Sequence, residues 1–162
     1  MKVENLSDLF VHTLKDIYFA ENQIIKALPK MAKAADSKEL ARAFDNHLEE
    51  TKEQVARLDQ IFKLLGKRAE GEKCPAIEGI LKEGEDLMKH IKDPDTRDAA
   101  MLAAAQAVEH YEITRYGTLI AWGELLDLPD AVKLLSMTLK EEYGADDKLS
   151  KLAESKLNRE AA

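Results

Sequence analysis

The stretch Ala104-Ala105-Gln106-Ala107-Val108-Glu109-His110-Tyr111-Glu112-Ile113 decides the fold, because it places two carboxylates on the apolar side of a long helix. Alternating steps of three and four residues define the inward-facing seam of a helix in a bundle. Here those steps select Leu102, Ala105, Glu109, Glu112, Tyr116, Leu119, Gly123 and Leu126. A buried carboxylate is costly unless it is paired, protonated or bound to a metal ion. Two carboxylates on one seam therefore predict a cation.

Three other long segments repeat this pattern of apolar ends and a polar middle. They run from about Asn5 to Ala35, from Ser37 to Leu65, and from Pro129 onward, with Pro29 expected to kink or shorten the first. The polar residues near the middle of their seams are Glu21, His47, Glu142 and Asp146, and Glu50 shares the face of His47. Measured from the predicted helix starts, the positions of Glu21, Glu50, Glu109 and Glu142 differ by at most three residues, which is less than one turn. One polar layer through a shared core is therefore predicted.

The last helix has a seam of the same kind, with carboxylates again at mid-length. Steps of three and four from its beginning select Val132, Leu135, Leu139, Glu142, Asp146, Leu149 and Ala153. This choice places two carboxylates, four residues apart, on one helix face.

Connection lengths predict the topology. The first and second helices form one antiparallel hairpin and the third and fourth form another, because both turns are short. The segment from Lys67 to Asp93 is too long for a hairpin turn, and it contains a shorter helix that begins at Pro75. The predicted fold is all-α, a ferritin-like four-helix bundle with one long crossover that carries a short extra helix. At 162 residues, one domain spanning 1–162 is expected.

Composition excludes several classes of function. The formal charge of −7 argues against binding to nucleic acid or to an anionic membrane surface. No apolar run approaches the length of a transmembrane span, and no apolar segment of the secretory type follows Met1. The single cysteine, Cys74, suits a reducing compartment. We therefore expect a cytoplasmic protein.

The ligand set predicts the kind of metal. Six carboxylates and one imidazole favour iron or manganese over zinc, and two divalent ions would balance six negative charges better than one. The predicted ligands are Glu21, His47, Glu50, Glu109, Glu112, Glu142 and Asp146. Neighbouring polar residues are not predicted to be metal ligands. Gln54, Tyr116 and His110 are expected to be hydrogen-bond partners, Cys74 a structural residue, and Glu53, Glu141 and Asp147 solvated charges.

Several motifs resemble those of the YciE/YciF family of ferritin-like bacterial stress proteins, over nearly the whole chain. They are Asp16-Ile-Tyr18-Phe-Ala20-Glu21-Asn-Gln23, His47-Leu-Glu-Glu50-Thr51, Cys74-Pro-Ala-Ile-Glu78-Gly79, Arg97-Asp98-Ala99-Ala100, the opening stretch with Tyr116-Gly117-Thr118-Leu119, and Glu141-Glu142 with Asp146. The resemblance implies a ferritin-like bundle, a homodimer, a binuclear metal centre and a link to stress responses.

The chain departs from the wider ferritin-like pattern, in which two helices carry Glu-x-x-His. Its own motifs are His47-x-x-Glu50, Glu109-x-x-Glu112 and Glu142-x-x-x-Asp146. The nitrogen count falls from two to one or none, which weakens the case for oxygen-activating chemistry but not the case for metal binding.

Three functions stay open at this point. The first is a redox protein that reduces peroxide or oxygen at a dinuclear iron or manganese centre. The second is a metal-binding protein without turnover, and the third is an interaction module whose polar layer fixes helix register. The sequence identifies no organic substrate, nucleotide site or nucleophilic catalytic set, so enzymatic activity is not decided.

Overall fold

The structure is a computed structural model that describes residues 2–162, and every regular element within them is helical. The elements are α1 (Leu6–Ala34), α2 (Lys38–Leu64), α3 (Pro75–His90), α4 (Pro94–Leu125), α5 (Pro129–Leu152), a π-helical turn (Ala153–Leu157) and α6 (Asn158–Glu160). The predicted all-α class is therefore confirmed. None of the helices in residues 2–162 combines the length and apolarity needed to cross a membrane.

Side-chain caps and prolines determine where the helices begin. The side chains of Asn5, Ser37 and Asp93 accept hydrogen bonds from backbone N–H groups in the first turns of α1, α2 and α4. After α2 the chain turns at Gly66, whose φ of 64° is readily adopted by glycine. Pro29 does not end α1, which continues to Ala34, close to the predicted end at about Ala35.

The four long helices pack side by side. Helix α1 contacts α2 and α4, and α5 contacts the same two helices, while α3 lies against α4 and α1. The close approach between α3 and α4 favours a glycine, because a Cβ on Gly84 would lie 3.1 Å from the Cβ of Ala104, which is tighter than most such contacts. This packing leaves the middle sections of α1, α2, α4 and α5 facing a common interior.

The predicted seams agree with the structure except on α5. The predicted seam of α1 is buried throughout, at Phe10, Leu14, Ile17, Glu21, Ile24, Leu28 and Met31. The predicted seam of α2 consists of Leu40, Phe44, His47, Thr51, Gln54, Leu58, Ile61 and Leu65. This seam and that of α4 are buried except at their last residues, Leu65 and Leu126. On α5 the buried set is Ala131, Leu135, Thr138, Glu142, Ala145 and Leu149. Val132, Leu139 and Asp146 are only half-buried, because the helix turns a neighbouring residue inward at each of these positions.

Asp98 of α4 ties the turn between α1 and α2 to the other hairpin. Its two carboxylate oxygens accept hydrogen bonds from the backbone N–H groups of Asp36 (3.0 Å) and Ser37 (2.6 Å). The Asp98 side chain is almost fully buried, so these charge-assisted bonds are shielded from water.

We expect Asp98→Ala to lower the free energy of unfolding by about 2 kcal/mol, because it leaves two backbone donors of the turn without their acceptor. Urea unfolding followed by circular dichroism measures the change. The matched control is Asp45→Ala, an exposed position inside α2, which should differ from wild type by no more than about 0.5 kcal/mol. Equal loss in both variants would contradict the role given to Asp98.

Candidate metal centre

Three helices bring four buried metal-binding side chains together. They are His47 from α2, Glu109 and Glu112 from α4, and Glu142 from α5. One potential ligand atom from each lies within 4.8 Å of the corresponding atoms of the others. Two ligand atoms of one ion lie at most about 4.4 Å apart when each bond to the metal is about 2.0–2.2 Å long, so small side-chain movements would let these four residues hold one ion.

Glu21 of α1 completes this layer from the fourth long helix. Its side chain is fully buried, and the hydroxyl of Tyr116 donates a hydrogen bond to its Oε1. Glu21 lies close enough to Glu112 and Glu142 for each to influence its pKa. The prediction that Tyr116 would be a hydrogen-bond partner in the polar layer is therefore confirmed.

The buried carboxylates have more oxygens than hydrogen-bond donors around them. Within residues 2–162, no hydrogen-bond partner is found for Oε2 of Glu21, Oε2 of Glu109, or either oxygen of Glu112 and Glu142. Buried polar atoms are nearly always hydrogen-bonded, so six exceptions in one layer call for a proton or a cation. The donor set therefore fits a metal ion that prefers oxygen ligands.

One imidazole accompanies these carboxylates. His47 Nε2 lies 3.1 Å from Oε1 of Glu109 without the alignment of a hydrogen bond, and its Nδ1 lies 3.9 Å from Oε2 of Glu50. Burial lowers the pKa of His47, but the carboxylates of Glu50, Glu142 and Glu21 outweigh burial and raise it overall. A single imidazole balances at most one of the buried negative charges.

Burial also sets the protonation of the carboxylates. Loss of solvation, together with the charge of Glu142, raises the pKa of Glu21 to about 8. Loss of solvation likewise raises the pKa of Glu109 to about 7, and it holds the pKa values of Glu112 and Glu142 well above the usual range for glutamate. Without a cation, several of these groups carry protons at neutral pH.

Glu50 lies at the edge of the layer. Its side chain is about one-third exposed, and Oε1 lies 3.6 Å from Nζ of Lys148. The nearby imidazole of His47 lowers the pKa of Glu50, so this carboxylate ionises more readily than its buried neighbours. Glu50 can contact an ion beside His47 while facing solvent on its other side.

Asp146 has other partners than the cluster. Its Oδ1 accepts a hydrogen bond from Nε2 of Gln106 at 3.1 Å and lies 3.2 Å from Nε2 of the exposed His110. The seam of α5 passes through Ala145 instead, which leaves Asp146 half-buried on the flank. The structure thus gathers the predicted ligands of α1, α2 and α4 with Glu142, and it places Asp146 apart from them.

Glu141 is not the solvated charge that was predicted. Arg57 of α2 donates to both of its carboxylate oxygens, at 2.6 and 2.7 Å, and to Oγ1 of Thr138 at 3.2 Å. The fully buried Gln54 also donates to Glu141 at 3.2 Å. Sequence analysis missed Arg57, whose only signal is its position three residues after Gln54 on the same helix face.

The remaining predictions on neighbouring residues agree with the structure. Glu53 and Asp147 are exposed, and each lies near a cation on its own helix. Cys74 is buried, with its Sγ 3.0 Å from the hydroxyl oxygen of Tyr111. That hydroxyl donates a hydrogen bond to Oδ2 of Asp16 at 2.8 Å, so Cys74 belongs to a packed polar contact.

A small cavity adjoins the carboxylate layer. It has a volume of about 60 Å³, and its polar side is formed by Asn46, His47, Glu50, Glu109 and Lys148. Apolar side chains, among them Ile24, Phe44 and Val108, form most of the remaining wall. The cavity has room for a small molecule beside the cluster.

Comparison with known proteins supports this picture of the fold. Residues 5–162 match the family described as "Domain of unknown function (DUF892)". The chain is 42% identical to Protein YciF of Escherichia coli K12, over 99% of this chain and 98% of that protein. The crystal structure of the E. coli stress protein YciF superposes with a TM-score of 0.92, covering 96% of this chain and 99% of that chain.

Two further solved structures are similar. YcfI from Rhodopseudomonas palustris is 50% identical, with a TM-score of 0.91 over 92% of this chain and 95% of that one. A protein of Xanthomonas campestris has a TM-score of 0.73 at 20% identity, over 93% and 91% of the two chains, and it shares the fold alone. The chain belongs to the DUF892 family and is similar, over nearly its whole length, to the stress protein YciF.

Proposed function

We propose that this chain is a stress-associated protein that holds a dinuclear iron or manganese centre within a single ferritin-like four-helix bundle. One observation carries the proposal: unpartnered carboxylate oxygens from α1, α4 and α5 converge on one buried layer with His47 of α2. Such a layer is far more favourable with cations than without them.

The residues divide between two ions. His47, Glu109, Glu112 and Glu142 form the group that would hold the first ion. Glu21 would hold the second, together with Glu112 and Glu142, whose four carboxylate oxygens have no hydrogen-bond partner within residues 2–162. Glu50 would be a further ligand on the side of His47. It lies at the edge of the layer, where its side chain is about one-third exposed.

Bound iron or manganese would supply electrons to peroxide or oxygen. Side chains of the protein itself would control water and protons near the ions. Apolar walls around the adjoining cavity limit water beside the ligands, and the Tyr116 hydroxyl holds a proton against Glu21. In the metal-free protein, the raised pKa values of Glu21 and Glu109, about 8 and 7, keep carboxyl protons in the layer at neutral pH, and bound cations would displace them.

Metal binding without turnover is the second candidate. The observation that favours it is the single imidazole in a ligand set otherwise made of carboxylates. Oxidation of metal-loaded protein by hydrogen peroxide, followed by absorbance, separates the two functions: steady peroxide consumption identifies turnover.

We also propose a homodimer in the cytoplasm, on the basis of the likeness to the YciF family and the single cysteine.

We expect Glu112→Gln to weaken binding of Mn²⁺ or Fe²⁺ at least tenfold, about 1.4 kcal/mol, and to leave the helical content unchanged. The amide keeps the shape of the side chain but removes its negative charge. Neither oxygen of Glu112 has a hydrogen-bond partner within residues 2–162, so the substitution breaks no hydrogen bond. Elemental analysis after equilibrium dialysis, with circular dichroism on the same samples, measures both quantities.

The control for this experiment is Glu124→Gln on the same helix, where the carboxylate is exposed. It should bind metal as wild type does. Glu141→Gln is unsuitable as a control, because it would break the contacts with Arg57. Full metal occupancy in Glu112→Gln, or no metal in wild type, would refute the site.

Metal-free protein should lose stability as pH rises from about 5.5 to about 8.5. The folded-state pKa values of Glu21 and Glu109, about 8 and 7, lie above their ordinary value of 4.5, so the folded protein retains protons that the unfolded chain releases. His47, whose pKa is also raised, acts in the same direction. Each titrating group contributes up to about 1.4 kcal/mol per pH unit, which urea unfolding in chelator can measure.

Metal-loaded protein should show the opposite trend over the same range. Protons compete with the metal for the carboxylates, so acid releases the ion and removes the stability that binding provides. A metal-free protein that becomes more stable toward alkaline pH would contradict the protonation assigned to these carboxyl groups.

A further inference from the structure

A groove separate from the carboxylate layer runs between α1, α3 and α4. Its volume is about 330 Å³. The methionines Met31, Met88 and Met101 line it, together with Ile80 and Leu81. Methionine side chains are unbranched and flexible, so such a wall adapts to flexible apolar ligands.

The rim of this groove carries an unbalanced positive charge. Lys26 and Lys30 line it from α1, one helical turn apart, and no ion pair involving either is found within residues 2–162. The two glutamates on the α3 side form ion pairs with other lysines. Glu78 lies 3.4 Å from Nζ of Lys73, and Glu85 lies 3.3 Å from Nζ of Lys89. In a chain of net charge −7, two unpaired lysines beside an apolar groove favour an anionic ligand.

The groove adjoins the small cavity beside the carboxylate layer. Both are lined by Ala27, Met31, Leu81 and Val108. The two spaces therefore share an apolar wall, along which an extended chain held at the lysines can lie. This shape suits a ligand with one charged end and one long apolar end.

We propose that the groove binds a free fatty acid, with its carboxylate between Lys26 and Lys30 and its unbranched chain along the methionine-lined wall. The site is independent of the proposed metal centre, because none of the buried carboxylates contributes to the groove. A carboxylate fits the rim because it can contact both ammonium groups, and an alkyl chain fits the wall because it needs no hydrogen bonds.

Decanoate is the probe for this site. Isothermal titration of the full-length protein should show saturable binding of one decanoate per chain, both in chelator and with metal. Replacement of the rim cations in the double variant Lys26→Gln/Lys30→Gln should weaken decanoate binding about tenfold and leave 1-decanol binding unchanged, since the alcohol carries no charge. Lys33→Gln, an exposed lysine on α1 outside the groove, is the matched control and should bind decanoate as wild type does.

Three results would overturn the proposal. The first is an absence of saturable decanoate binding, and the second is equal decanoate affinity in wild type and the double lysine variant. The third is a dimeric wild type that excludes decanoate while Ala27→Trp is monomeric, which would assign the groove to a second copy of the chain. A failure of metal binding leaves all of these measurements interpretable, because the titrations are also made in chelator.

Discussion

Repulsion among carboxylates in a dry interior is the constraint on which this molecule depends. Glu21, Glu109, Glu112 and Glu142 are almost fully buried in one layer, and Tyr116 and His47 provide few donors for them. Ionised together without a cation, these groups would destabilise the bundle by far more than one hydrogen bond restores. The folded state therefore has two acceptable forms, one with protons on the carboxyl groups and one with metal ions between them.

The rest of the chain supports this costly layer. Apolar residues fill the interior on both sides of it, from Phe10 and Leu14 of α1 to Ile61 and Phe62 of α2. Asp98 links the two hairpins near one end, and the pair formed by Arg57 and Glu141 links α2 to α5 beside the layer. Polar residues interrupt the hydrophobic pattern of the four helices at this one layer, and the packing is regular elsewhere. Such a concentration of exceptions is typical of a functional site.

Much of the site follows from sequence periodicity, because Glu21, His47, Glu109 and Glu112 interrupt seams that are otherwise clear. Periodicity failed on α5, where steps of three and four are both allowed: Glu142 leads to Ala145 or to Asp146, and only packing against α4 decides between them. The contact between Arg57 and Glu141 joins residues 84 positions apart, so no local pattern predicts it. The groove depends on how α3 lies against α1 and α4, which the length of its connection leaves open.

Proton release on metal binding tests the central claim most directly. Metal-free protein is titrated with Mn²⁺ near pH 7 in two buffers of different ionisation enthalpy, and the difference in heat gives the number of protons released per ion. Because burial raises the pKa of Glu21 to about 8 and holds those of Glu112 and Glu142 well above the usual range, the account predicts release of at least one proton for each ion bound. Binding without proton release, or no binding, would contradict it.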